Sequence, residues 1–539
     1  MKKLLRFVAM LAVVALLLTG CEMPELEDLM EDVYSLIVLG TATSFEDMEY
    51  VRPDMEQFRQ QLETCTSLAQ GDTDVDDMMD AVYALYDSYY GFYTNYNLSN
   101  IHYCKNMTDI YWTEEYNWCL ENSSEVDAGM DQLLYTLADS SLKEELESDQ
   151  FFGDGFFDAY TGDSIWDETF TGLANAESTL LTEYYDLTAA SAEAPYYSEE
   201  FFEGYGLQLE EVFVELIRVR QEMAAYAGYE SYPAFAYDFY FNRDYTPEQA
   251  GAYMEQIRQE LVPLYSELDH SAWDALYAET TQEEMLAYTQ ECAAAIGGVA
   301  ENAFELMEKA NLYDITYSEN KYDASFEVFL PSYYLPYVYV CPTGLARDKL
   351  TLTHEFGHFC NDYAAGGTIA SVDVAEIFSQ GLEYLSLFYC ENTAELEKGK
   401  LADSLATFVE QSAYAAFEQQ VYALEGDALT VDNVRNVYQQ VLDGYGLSSR
   451  GRDHRDYVLV PHFFIVPMYV FSYVVSNDAA MQIYQAEQAE AGAGLALWED
   501  NLTTMQPQFL GFVEEAGLKS PFVEGRAAQL RETFEEILG

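Results

Sequence analysis

The sequence predicts a mostly α-helical protein with one small β-sheet, and three features carry that prediction. From residue 46 to about 240, and again from 246 to about 312, apolar residues recur every three or four positions, the period of helices with one buried face. Helix starts are legible, as at Thr246-Pro247-Glu248-Gln249, where threonine suits the cap, proline the first helical position and an acid the first turn. The pattern breaks at Ser325 to Val340, a β-branched and aromatic stretch with interrupting prolines. It reads as short strands, one of them at a sheet edge.

The chain begins with Lys2, Lys3 and Arg6, continues in an apolar run from Phe7 to Leu18, and ends that run with Leu18-Thr19-Gly20-Cys21. A basic start, an apolar middle and small residues at the end are the layout of a secretory signal. The ending resembles the lipobox of bacterial lipoproteins, which implies cleavage before Cys21 and a lipid on its sulfur. A transmembrane anchor is the rival, but the run is shorter than the roughly 20 residues a span needs. The expected organisation is a signal at 1–20, a lipidated acidic tether at 21–45, an N-terminal helical lobe at 46–245 and a second lobe at 246–539. That address is the outer face of the membrane or the extracellular space.

With 24 basic and 95 acidic residues the formal charge is −71. Such a surface repels nucleic acid and anionic lipid, so membrane contact is expected only through Cys21. Solubility or salt adaptation explains the charge. Tyrosine stripes such as Tyr83 to Tyr96 read as helix core. Seven cysteines follow Cys21, with no metal-binding spacing; Cys104 and Cys119 could bridge neighbouring helices.

The chemistry concentrates in Thr351-Leu-Thr-His-Glu-Phe-Gly-His-Phe-Cys360. On a helix, His354 and His358 are one turn apart on one face and both imidazoles reach a single ion. Two neutral imidazoles suit Zn²⁺, which then needs a third protein ligand. Glu355, beside the first imidazole, is placed to take a proton from an attacking water. Gly366-Gly367 marks a turn, Ser371 caps a new helix from Val372 to about Tyr389, and Glu376, Gln380 and Glu383 share a face of it. A carboxylate from this neighbouring helix, Glu376, is the expected third ligand, and Glu383 or Asp373 could orient an imidazole. Farther on, His462, Tyr469 and Tyr473 are candidate donors to an oxyanion, since phenol and imidazole donate well in a dry cleft. Arg450, Arg452 and Arg455 in a glycine-rich loop read either as a site for a substrate carboxylate or as partners of nearby acids. The strands at Ser325 to Val340 could either pair with an extended peptide or serve as a structural hairpin under the metal helix.

Three ordered motifs, Thr353-His-Glu-Phe-Gly-His358, Val374-Ala-Glu-Ile-Phe-Ser-Gln380 with Glu383, and Pro461-His-Phe-Phe through Pro467-Met-Tyr-Val-Phe-Ser-Tyr-Val-Val-Ser476, resemble the oligoendopeptidase F and thimet oligopeptidase family of zinc peptidases. Weaker similarity lies in Leu216 to Tyr229 and Asn242 to Thr246. The resemblance implies a helical ellipsoid of the gluzincin type, with a deep central cleft and a small sheet beside the zinc helix. It implies one Zn²⁺ per chain on His354, His358 and Glu376, with Glu355 as base. Tyr473, and less directly His462 and Tyr469, would stabilise the oxyanion. Short peptides are the implied substrates, cut internally; a monomer is expected. A related carboxypeptidase or dipeptidase, and a non-catalytic peptide-binding lipoprotein, are the alternatives. Phe359-Cys360-Asn361 departs from many family members after the second histidine, which bears on substrate preference.

Overall fold

An acid-rich chain has carboxylates to spare for helix caps, and the first helices use them. In the computed structural model, which describes residues 43–538 apart from 149–150, 161, 163, 192–197, 368–369 and 505, helices α1 (Met55–Ala69), α2 (Val75–Lys105) and α3 (Ile110–Ala138) start at Asp54, Asp74 and Asp109. Each aspartate accepts backbone N–H groups of its own first turn. The predicted signal, Cys21 and most of the tether lie outside the described residues.

These three helices enclose a small core around Phe58, Met78, Val82, Phe92, Val126 and Leu133. The last turns of α2, at Leu98, Ile101 and Cys104, pass into a second, larger core. That core already contains α4 (Glu168–Ser191) and α5 (Leu207–Tyr226), so the boundary expected at residue 245 falls inside it. Thr246 caps α6 (Pro247–Glu267) and exchanges side-chain and backbone hydrogen bonds with Gln249. α7 (Gln282–Ile296) and α8 (Gly298–Lys309) follow, separated at Gly297, whose φ of 80° ends the first.

The β-rich stretch forms β2 (Ser325–Leu330) and β3 (Leu335–Val340), an antiparallel hairpin; β1 (Tyr313–Asp314) adds in parallel, giving the order β1-β3-β2. β2 is the edge strand. The proline within a strand, Pro336, instead lies in central β3, which is buried throughout. It is tolerated because β1 reaches only Val338 and Tyr339, leaving Pro336 with a neighbour on one side alone.

The hairpin packs under α9 (Arg347–Ala365), which is followed by α10 (Val372–Tyr389), α11 (Ala394–Val421) and α12 (Val470–Ala489). α9, α10 and α12 form the centre of the larger core. The seven cysteines among the described residues all carry free thiols, so Cys104 and Cys119 are not bridged. No helix among the described residues is long and apolar enough to cross a membrane.

Candidate metal centre

Two neighbouring helices build the centre, and a glycine sets their distance. A Cβ on Gly357, between the two histidines of α9, would lie 2.6 Å from the Cα of Ser379 and 2.7 Å from the carbonyl oxygen of Phe378, both on α10. Only glycine permits this approach. It brings Glu376, one turn before Ser379, up to both imidazoles. Gly357→Ala is therefore expected to destabilise the protein by about 1–3 kcal/mol, a typical cost of overpacking, and to weaken metal uptake; urea unfolding with a zinc titration measures both.

One carboxylate oxygen of Glu376 stands 3.3 Å from His354 Nε2 and 3.7 Å from His358 Nε2. The three donor atoms lie within 4.8 Å of one another, and His354, His358 and Glu376 are the one such convergent group among the described residues. The imidazoles keep partial exposure while Glu376 is buried. This set of two imidazoles and a carboxylate fits Zn²⁺ with a position left for solvent or substrate.

The surrounding side chains hold each donor in place. Glu383 accepts from His354 Nδ1 at 2.9 Å, fixing the tautomer that turns Nε2 toward the centre. Lys400, on α11, donates to the other Glu383 oxygen at 2.7 Å. Tyr469 donates to Glu376 at 2.9 Å and Ser379 to its other oxygen at 3.1 Å. Glu355 is buried on α9 beside this group.

Electrostatics favour a cation here. Burial alone would raise the Glu376 carboxyl, but hydrogen bonding and charge from His354 overcome it and hold it at about 2. Burial opposes charge on His354, yet the carboxylates of Glu376 and Glu383 pull its proton affinity well above the usual range. His358 is lowered to about 4 by burial. Burial, with Glu376 and Glu383 nearby, pushes the Glu355 carboxyl up to about 8.

Not every residue selected from sequence faces the centre. Asp373 orients no imidazole. Its carboxylate pairs with Arg243 at 3.1 and 3.2 Å and accepts from Tyr245 at 2.7 Å, all fully buried at the start of α10. Ser371 stands at the cap position, but its hydroxyl makes no cap bond. Gln380 donates to Ser476 on α12. His462 and Tyr473 face each other, Nε2 to hydroxyl at 3.5 Å, with Tyr469 beside them at ring distances of 5.6 and 5.3 Å. Burial keeps the Tyr473 phenol protonated and the His462 ring neutral. Arg452 pairs with Glu410 and Arg455 with Glu199 and Asp453, whereas Arg450 donates to the carbonyls of Tyr265 and Leu268.

Three supporting residues carried little signal. Lys400 and Arg243 act across long sequence separations. Arg220 donates to the carbonyls of Phe463 and Phe464 and so anchors the turn bearing His462; its motif, Leu216 to Tyr229, marked the region but not the role.

Comparison with known proteins agrees with this architecture. Residues 45–161 match the model of the Peptidase M3 N-terminal domain, which corresponds to the segment around the small core. The fold is shared with several solved structures. A protein assigned as oligoendopeptidase F from Bacillus anthracis str. Ames is 19% identical, with 92% of this chain and 98% of that one covered at a TM-score of 0.77. PZ peptidase A with inhibitor 2 is 16% identical, with 92% and 99% covered at 0.80. Oligoendopeptidase-F from Enterococcus faecium is 13% identical, with 95% and 98% covered at 0.59. Among curated proteins, none matches. A Peptidase M3 N-terminal domain is thus matched at residues 45–161, and the chain shares its fold with solved oligoendopeptidase structures.

Proposed function

We propose that the chain is a zinc-dependent endopeptidase of short peptides, secreted and held at the outer face of the cell membrane or in the extracellular space by a lipid on Cys21. The observation that carries the reading is the convergence of His354, His358 and Glu376 on one point, beside a buried glutamate that belongs to none of their hydrogen bonds. Zn²⁺ held by those three residues would supply Lewis acidity toward a peptide carbonyl and acidify water.

The chain's own residues do the rest. Glu355 accepts a proton from the attacking water and returns it to the leaving amine; burial, which holds its proton affinity high, suits both directions of transfer. Tyr473 and His462 donate toward the oxygen on which charge develops, while Tyr469 is committed to Glu376. Glu383 and Lys400 keep His354 oriented.

The test is cleavage of an internally quenched short peptide by the purified protein, with a zinc chelator and then with zinc restored. Cleavage that stops and returns is expected. Cleavage indifferent to chelation, or none with zinc bound across a varied peptide set, contradicts the reading.

A further inference from the structure

Arg347 opens α9, and its side chain lines the same pocket of about 140 Å³ as His354 and Glu355. Arg347, Thr351 and His354 follow one another at i, i+4 and i+7, on one face of the helix. Trp273 and Tyr277 wall the pocket. Arg347 is exposed, and among the described residues its guanidinium has no hydrogen-bond or ion-pair partner. Asp403, also in the pocket, feels its charge without forming an ion pair.

That state is unusual in this chain. Acids outnumber bases 95 to 24, and every other described arginine donates to a carboxylate or a backbone carbonyl. A planar fork of donors beside the reacting centre is a ready partner for a carboxylate from outside the protein.

We propose that Arg347 is a specificity determinant that binds a carboxylate of the peptide substrate; the proposal rests on the peptidase reading. Seven helical residues separate Arg347 from His354, about 10 Å along the axis. An extended peptide covers that distance in about three residues. Preferred substrates therefore carry a carboxylate within about three residues of the bond cut. The carboxylate is either a free C-terminus or an Asp or Glu side chain, and one chemistry recognises both.

The experiment compares one peptide sequence in three forms: free acid, C-terminal amide, and amide with glutamate as the last residue. Zinc-loaded protein should cut at least one carboxylate form about tenfold better than the neutral amide, the worth of one charge-assisted hydrogen bond partly open to water. In Arg347→Gln the ratio should fall to about one, through KM, with Arg347→Lys recovering part of it. Preference for the free acid alone identifies the C-terminus as the ligand, preference for the glutamate amide alone identifies a side chain, and equal preference for both shows that either carboxylate serves. An unchanged ratio in Arg347→Gln, or no preference in the wild type, overturns the proposal while leaving the peptidase reading intact. Calorimetric binding of the acid and amide forms is measured alongside. If nothing is cut, the peptidase reading falls, and acid-selective binding that Arg347→Gln abolishes still supports the carboxylate site, whereas equal binding overturns it.

Discussion

Glu355→Gln should lower kcat by about 10²–10⁴-fold, the usual contribution of a general base, while zinc content and peptide binding stay close to wild type. Glutamine keeps the shape and burial of the side chain but cannot take a proton. Glu355 makes none of the hydrogen bonds that orient His354 or Glu376, so the metal donors should stay where they are. Single-turnover kinetics with a zinc assay on the same sample checks both halves. Equal turnover in the variant would remove Glu355 from its role; parallel loss of zinc would make it part of the metal site instead.

The largest expected effect on stability lies at Arg243. This arginine is fully buried against Asp373, donates to Ser472 at 2.8 Å, and stacks over Tyr237 and Phe241 at 4.3 and 4.6 Å. It thereby ties the first turn of α10, one turn before Glu376, to α12, beside Tyr473. Arg243→Met leaves Asp373 with a buried charge and only Tyr245 as donor, and should cost about 3–5 kcal/mol. Arg243→Met with Asp373→Leu should recover much of that loss, because the stranded charge is removed as well. Denaturant unfolding of both variants reads the difference. A single variant within about 1 kcal/mol of wild type, the range of an exposed pair, would show that the pair is not held dry.

What the sequence made legible was local. His354, Glu355 and His358 follow from helical spacing alone, and Val372–Tyr389 has the bounds that its caps and apolar pattern suggested. Helical spacing placed Glu376 together with Glu383 on the face expected toward α9, and the resemblance carried by Val374 to Gln380 singled it out. The misreadings share one cause: a partner far away in the chain. Asp373 is near Glu376 in sequence, but Arg243, 130 residues earlier, claims it. Lys400 secures Glu383 from a third helix, and no local pattern announces it. The interrupting prolines suggested an edge strand, and β2 is one, but Pro336 itself lies in central β3, where it is tolerated because β1 is short. Gly357 was visible as a letter in the motif, while its purpose, contact with the backbone of α10, exists only in the packed pair.

The most direct test of the metal centre is an X-ray absorption spectrum of the zinc-loaded protein, with zinc counted per chain. One zinc per chain is expected, surrounded by nitrogen and oxygen at about 2.0–2.2 Å, with binding lost in His358→Ala and Glu376→Ala. A sulfur shell at about 2.3 Å, or zinc retained in both variants, would place the metal elsewhere and contradict the assignment.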